Sequence, residues 1–403
     1  MATTPSNATT TAPVTASSET GMLVHITTVS PETIEPALSN LALAFPGIPL
    51  TVAIPDTAPN LSAGHSFDKL RLLPYTPAAV SSANWILTAA DYFNTYKLAQ
   101  EHNASACLML GADSHTMQPE SLQRLAAATL STGNDLVVAH YHPGPRESLL
   151  NSAIFYPMSR SLFCARPRFP LAIDLGVSLR MAERLATTAQ RYTAAGQDDA
   201  LLWPVAEATV ANFTIAETDI PVRSSPTPVT PDLNVLLSQI AGSLFSDIDS
   251  KASYWQRIRH TVPKRTITAA TDASEPLDIT AILQSFKLAY SNLQEIWALV
   301  LPPHSLLGLK RLSVMPQEAF RMPDSLWARI VYDFVLAYRL RTINRNHLMG
   351  ALAPLYLAWV ASHLTLVHSG IPAEQHIEEL AQAFETDKPY LVSRWRWPDR
   401  FNP

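Results

Sequence analysis

The sequence predicts an α/β unit followed by an all-helical unit, and three observations carry that prediction. Short β-branched or apolar runs alternate with amphipathic helical stripes from residue 22 to about residue 215. A proline-rich stretch at 224–231 (Ser-Ser-Pro-Thr-Pro-Val-Thr-Pro) interrupts the alternation. Beyond it nearly every segment keeps the period of a helix.

The elements follow in order. Residues 1–20 are almost entirely Thr, Ser, Ala and Pro. They bury too little apolar surface to offset ordering entropy and read as a disordered tail. Met22–Val29 and Leu50–Ile54 read as strands, Leu70–Leu73 as a weaker one, and Pro31–Ala44 as a helix with Ile34, Leu38 and Leu41 on one stripe. Ser81 or Ser82 is placed to cap a helix running to about His102. Cys107–Leu110 is an apolar run that ends in Gly111-Ala112-Asp113. Pro119–Thr132 reads as a helix closed by Gly133, and Leu136–Ala139 as the next strand. Leu179, Ala182, Leu185 and Ala189 mark another helix, and Phe213–Ile215 an edge strand. This alternation implies a largely parallel sheet covered on both faces. After the break, Leu233–Phe245, Ile279–Val300, Leu326–Ile343, His347–Val367 and Glu374–Thr386 read as helices.

The chain has 403 residues, beyond the roughly 250–300 at which single cores stop growing, so two domains are expected. They are placed at 21–223 and 232–403, with 224–231 as connector. A formal net charge of −5 offers no field for nucleic acid or anionic membrane. Two cysteines, Cys107 and Cys164, make no disulfide framework and fit a reducing compartment. The first residues carry no secretory signal pattern, so a cytoplasmic location is expected. Leu348–Val367 carries no Asp, Glu, Lys or Arg. Gly350, Pro354, Ser362 and His363 dilute it, which favours a buried helix over a membrane span. There is no phosphate-cradling glycine loop, no Walker pattern and no nucleophile elbow.

Ligands of open α/β sheets bind beyond the carboxyl ends of strands. Asp113 lies at such an end, where it reads either as a ligand for a divalent cation or as a turn residue. His140 and His142 bracket Tyr141, so on a strand both face one side. With His115 they could ligate a transition metal, although no Cys or Glu pattern supports this and loop histidines are the simpler account. Asp174 reads as a general base or as a cap of the helix near Ser178. The Asp198-Asp199 pair reads as a solvated helix start or as catalytic acids. Tyr254, Trp255, Trp395 and Trp397 read as packing anchors.

The order of these segments resembles the family 2-type glycosyltransferases related to mannosylglycerate, glucosylglycerate and glucosyl-3-phosphoglycerate synthases. The matching stretches are Gly111-Ala112-Asp113 with Pro119-Glu120, Asp135 to Tyr141, Asn151 to Arg160, and Ile173 to Ser178. Trp327 to Tyr338, Pro354 to Tyr356 and Pro389 to Trp395 match in the helical half. The resemblance implies a GT-A nucleotide-sugar-binding domain followed by a helical domain. It implies transfer of a hexose from a nucleotide-sugar donor to a small acceptor of the glycerate type, assisted by Mg²⁺ or Mn²⁺. Asp113 would be the metal ligand and part of the donor site with Arg223 and Ser82. Asp174 and Asp199 would be the catalytic acids, and Asn151 and Tyr156 would sit on the acceptor side. No nucleic acid and no membrane enter this picture, and a homo-oligomer is left open.

The departures from that pattern are specific. Gly111 stands in place of the first Asp of the metal motif, Val80 to Asn84 in place of the glycine-rich donor loop, Leu201 in place of an Asp, and Arg223 in place of a metal-binding His. Arg223 could replace a metal's charge by clamping phosphate. The alternative expectation is therefore a catalytically silent GT-A-fold protein that binds a nucleotide, a sugar or a partner.

Overall fold

Strands β1 (Met22–Ile26), β2 (Leu50–Pro55), β3 (Leu70–Tyr75), β4 (Ala106–Leu110), β5 (Leu136–Tyr141), β6 (Asp174–Ser178) and β7 (Ile215–Ile220) form one sheet in the order β3-β2-β1-β4-β6-β5-β7. The structure, a computed structural model, describes residues 21–56, 69–221, 223, 232–259, 261–265 and 277–398. The expected tail at 1–20 and connector at 224–231 lie outside the described residues. Every residue of β1 and of β4 is buried, which is why both read as unbroken apolar runs rather than alternating ones.

All neighbouring strands pair parallel except β6, which runs antiparallel to β4 and to β5. The inversion positions the site. In register Leu110 lies opposite Asp174, so β6 begins at the edge where β4 ends. Asp174 reaches the carboxyl edge of the sheet by opening a strand.

Six helices belong to this half: α1 (Ile34–Ala44), α2 (Ala89–Glu101), α3 (Pro119–Leu130), α4 (Tyr156–Phe163), α5 (Leu179–Thr193) and α6 (Pro204–Val210). On one sheet face Leu38 and Leu41 of α1 and Leu122 and Leu125 of α3 share a core with Val24, Val52 and Leu108. On the other, Tyr92 of α2 and Met181 and Leu185 of α5 pack with Leu23, Cys107 and Val177. Helix α2 starts later than the sequence suggests. Thr88 and Asp91 form its capping box, while Ser81 and Ser82 are held in a loop by Asp199.

The remaining helices are α7 (Leu233–Leu236), α8 (Gly242–Ser250), α9 (Ala252–Trp255), α10 (Thr280–Val300), α11 (Pro303–Ser313), α12 (Asp324–Leu340), α13 (Arg345–His368) and α14 (Ala373–Arg396). Helix α11 had no counterpart in the sequence reading, and α14 continues through Pro389 well past Thr386. Helix α13 is long and apolar enough to cross a membrane. It is apolar on all sides, and Leu348, Leu352, Leu355 and Trp359 are buried within the fold.

The buried cluster on the α2/α5 face continues into these helices as far as Trp395. Helix α4 and the turn that precedes it carry hydrogen bonds to these helices. The Trp327 indole donates to the Ala153 carbonyl at 2.9 Å, and the Tyr332 hydroxyl donates to the Phe384 carbonyl at 2.7 Å, 3.1 Å from the Ser161 hydroxyl. A single π-helical turn, Asn151–Phe155, leads into α4. Such turns are rare and frequent at functional sites.

Candidate functional site

The chain leaves β4 through Gly111, and the space there is limited. A Cβ on Gly111 would lie 2.8 Å from the Ile173 carbonyl oxygen and 3.0 Å from the Ile173 Cβ. The lead-in to β6 therefore occupies the volume that any side chain at 111 would need. A side chain at this position would have to displace that backbone.

Asp113 follows in the left-handed region at φ 58°, a conformation Asp tolerates better than most residues. Its carbonyl accepts from the Thr116 hydroxyl at 2.8 Å, closing a 3₁₀ turn at Ser114–Thr116. Among the described residues, no hydrogen bond or ion pair engages its carboxylate. His115 sits in the same turn, its carbonyl held by the Asn40 amide at 2.8 Å.

Asp174 is fully buried, and its two oxygens accept four hydrogen bonds. Arg223 donates twice, at 2.9 and 3.2 Å, the Tyr141 hydroxyl at 2.9 Å, and the Gly111 amide at 3.2 Å. That fills the lone-pair capacity of a carboxylate. The Arg223 side chain is only 2 % exposed and also donates to the Ala112 carbonyl. Burial lowers the Arg223 pKa, but the Asp174 carboxylate and, more weakly, that of Asp113 outweigh it and hold the group above its ordinary value. Burial, followed by the Asp174 charge, pushes the Tyr141 phenol well up. Acid, guanidinium and phenol form one hydrogen-bonded cluster. Asp174 and Arg223, expected as a base and a phosphate clamp, are thus paired with each other here.

Asp199 and Ser82, predicted on separate grounds, are brought together. Asp199 accepts from the Ser81 hydroxyl at 2.6 Å, the Ser82 amide at 2.6 Å, the Ser82 hydroxyl at 2.5 Å and the Ala83 amide at 3.3 Å. Burial would raise its pKa, but these bonds hold the carboxyl below its ordinary value. Asp199, expected as a catalytic acid, holds the 81–83 loop in this arrangement.

Asn151 and Tyr156 are separated by the turn into α4. The Asn151 amide donates to the Arg168 carbonyl at 3.0 Å, and its side chain lines a cavity of about 200 Å³. Tyr156 is buried and donates to Glu378 of α14, with Arg160 donating to the Tyr156 hydroxyl at 3.2 Å. Its hydroxyl lies in the contact with α14, and Tyr156 is not among the residues lining that cavity.

The cavity opens beside the Asp174 cluster. Trp85, Tyr141, Phe155 and Phe169 supply aromatic walls, and Asn151, Ser148 and Arg223 supply the polar points. An aromatic wall with few polar groups suits the apolar face and hydroxyls of a small ring. Sequence reasoning missed Trp85, Tyr141 and Phe169. Tyr141 was legible in principle, since alternation along β5 turns it away from His140 and His142. Trp85 and Phe169 stand on loops, where no periodicity marks them.

Fold and site thus define an α/β protein with an acid and an aromatic-walled cavity at the carboxyl edge of its sheet. No protein-family model matches the chain, and no curated protein matches it. Solved structures do. Glucosyl-3-phosphoglycerate synthase from Mycobacterium tuberculosis, in complex with Mn²⁺, UDP-glucose and phosphoglyceric acid, is 15% identical with a TM-score of 0.37, over 57% of this chain and 79% of that one. The same enzyme with Mn²⁺, UDP-glucose and glycerol 3-phosphate is 13% identical with a TM-score of 0.35, over 64% and 87%. A mycobacterial protein is 13% identical with a TM-score of 0.35, over 63% and 80%. These likenesses are distant, and the functional reading rests on this chain's own residues.

Proposed function

We propose that the chain is a glycosyltransferase-like protein that binds a nucleotide-sugar, the sugar in the Trp85–Phe169 cavity and the diphosphate beside Asp113. One observation carries the reading: of the three predicted acids, Asp113 alone accepts no hydrogen bond on its carboxylate from the described residues, while its charge acts on the nearby Arg223. The Asp113 environment fits a cation only in a limited way. It offers one oxygen ligand, no room for a second acid at Gly111, and a guanidinium nearby. That suits Mg²⁺ or Mn²⁺ arriving with a diphosphate, since Mg²⁺ is commonly held by one or two carboxylates plus substrate phosphates. It does not suit a preformed metal cage. When bound, the cation would offset diphosphate charge.

Asp174 and Asp199 supply no uncommitted base, so binding is placed ahead of turnover. Sugar transfer to a small acceptor near Asn151 is the second reading, favoured by the placement of that amide in the cavity wall. Calorimetric titration of the whole chain with UDP- and GDP-sugars, with and without Mg²⁺ or Mn²⁺, tests both when followed by a hydrolysis assay. Cation-dependent binding lost in Asp113→Ala, without hydrolysis, supports the first reading. Hydrolysis in the same tube promotes the second. Failure to bind any nucleotide-sugar removes both.

A further inference from the structure

Strand β5 presents a second polar face. His140 and His142 lie two residues apart at its carboxyl end, and parallel register sets Asp219 of β7 directly opposite His140. The two imidazoles stack with centroids 5.0 Å apart. Asp219 Oδ1 lies 3.6 Å from His140 Nδ1 and 2.5 Å from His142 Nε2, and all three donor atoms fall within 4.8 Å of one another. His115, the third histidine singled out from the sequence, is not part of this group.

The geometry points to a transition-metal site at His140, His142 and Asp219, with Zn²⁺ as the preferred ion. Two imidazoles and a carboxylate are a zinc-type donor set, and Mg²⁺, which prefers oxygen, is poorly served by them. Donor atoms of a tetrahedral zinc lie about 2.0–2.2 Å from the ion, hence roughly 3.3–3.6 Å apart. The His140–Asp219 separation already has that value. The His142–Asp219 pair is closer because the two share a hydrogen bond. An ion takes its place once His142 carries its proton on Nδ1, and the pair opens by about 1 Å to the tetrahedral spacing.

Two features hold the donors in place. Tyr141, between the histidines, is bonded to the buried Asp174, which fixes the end of β5. The ring of Phe169 lies 6.1 Å from that of His140. The side chains of His142 and Asp219 are each 51 % exposed, giving the ion an entry path and leaving its fourth position to water or an oxygen ligand. Nothing in this site depends on Asp113 or on the proposed nucleotide-sugar.

The test uses the whole chain stripped with a chelator, titrated with Zn²⁺ by calorimetry and with Co²⁺ by visible absorption. One equivalent of Zn²⁺ and the absorption bands of tetrahedral Co²⁺ are expected. His142→Ala and Asp219→Ala should each weaken Zn²⁺ by more than about tenfold, since losing even a supporting partner of a ligand costs roughly 10- to 100-fold. Asp113→Ala should change neither signal. The proposal is overturned if the chain binds no Zn²⁺ at micromolar concentration, if both ligand variants bind it as the parent does, or if Asp113→Ala removes it. Circular dichroism of the variants confirms that the fold persists. The nucleotide-sugar reading is measured with Mg²⁺ or Mn²⁺ and can fail independently.

Discussion

The two faces at the end of β5 solve opposite problems with similar residues. On one face Tyr141 joins Asp174 and Arg223 beneath the surface, where every charge is answered from within the protein. On the other, His142 and Asp219 stand half in water beside the more buried His140, with the charges of Glu217 and Arg265 close by. Burial dictates the difference. A charge removed from water costs several kcal/mol unless it is paired and hydrogen-bonded, whereas an exposed one is already solvated. A residue type therefore says little about ligand binding until its hydrogen bonds are assigned. Asp174, read as a candidate catalytic acid, is fully buried with four hydrogen bonds, whereas Asp219, which the sequence reading did not single out, is half exposed.

The comparison can be broken most forcefully at Arg223. Arg223→Ala leaves Asp174 buried and uncompensated, so urea unfolding should show a loss of about 3–5 kcal/mol. Combining Asp174→Asn with Arg223→Met should recover much of it. A loss below about 1 kcal/mol for the single variant would mean that Arg223 is not what compensates Asp174. Gly111→Ala comes next. Its methyl would press on the Ile173 carbonyl at 2.8 Å, and overpacking of this kind costs about 1–3 kcal/mol. Asp199→Ala should cost about 1–2 kcal/mol by releasing the 81–83 loop, read out as a lower thermal midpoint and faster proteolysis near Ser82.

Asp333 sharpens the contrast by a different route. It is buried against Arg394 and Tyr390, yet burial outweighs these partners and pushes its carboxyl up to about 7. The unfolded value is about 3.9, so the native state holds the extra proton between those limits. Stability from this group is complete below about pH 4 and is lost as pH rises through about 7. Relative to Asp333→Asn, the parent chain should lose stability across that window; a pH-independent difference between the two would contradict the assignment. The smallest effect belongs to the open face. His142→Ala should change stability by no more than about 0.5 kcal/mol, while removing the cobalt signal.

Much of the scaffold was legible. Apolar runs gave β1, β2, β4 and β5, and helical stripes gave α1, α3, α5, α10, α12 and α13, because a strand or helix buried on one side must repeat its apolar residues at its own period. Helix starts were less so. Ser82 looked like a cap, but its hydroxyl was already committed to Asp199, 117 residues away. Proline in α13 and α14 did not end either helix, since packing on neighbouring helices overrode local propensity.

The sequence alone established the α/β-then-helical order and drew attention to Asp113, Asp174 and Arg223. Tertiary structure decided how those groups are used. The direction of β6 is a matter of long-range pairing, and it brings Asp174 under Gly111 and against Arg223, pairing two candidate site residues with each other. The register of β7 on β5 likewise sets Asp219 opposite His140. Periodicity records which side of an element is buried, whereas partners across a sheet are fixed by strand order and register, and no local pattern encodes those.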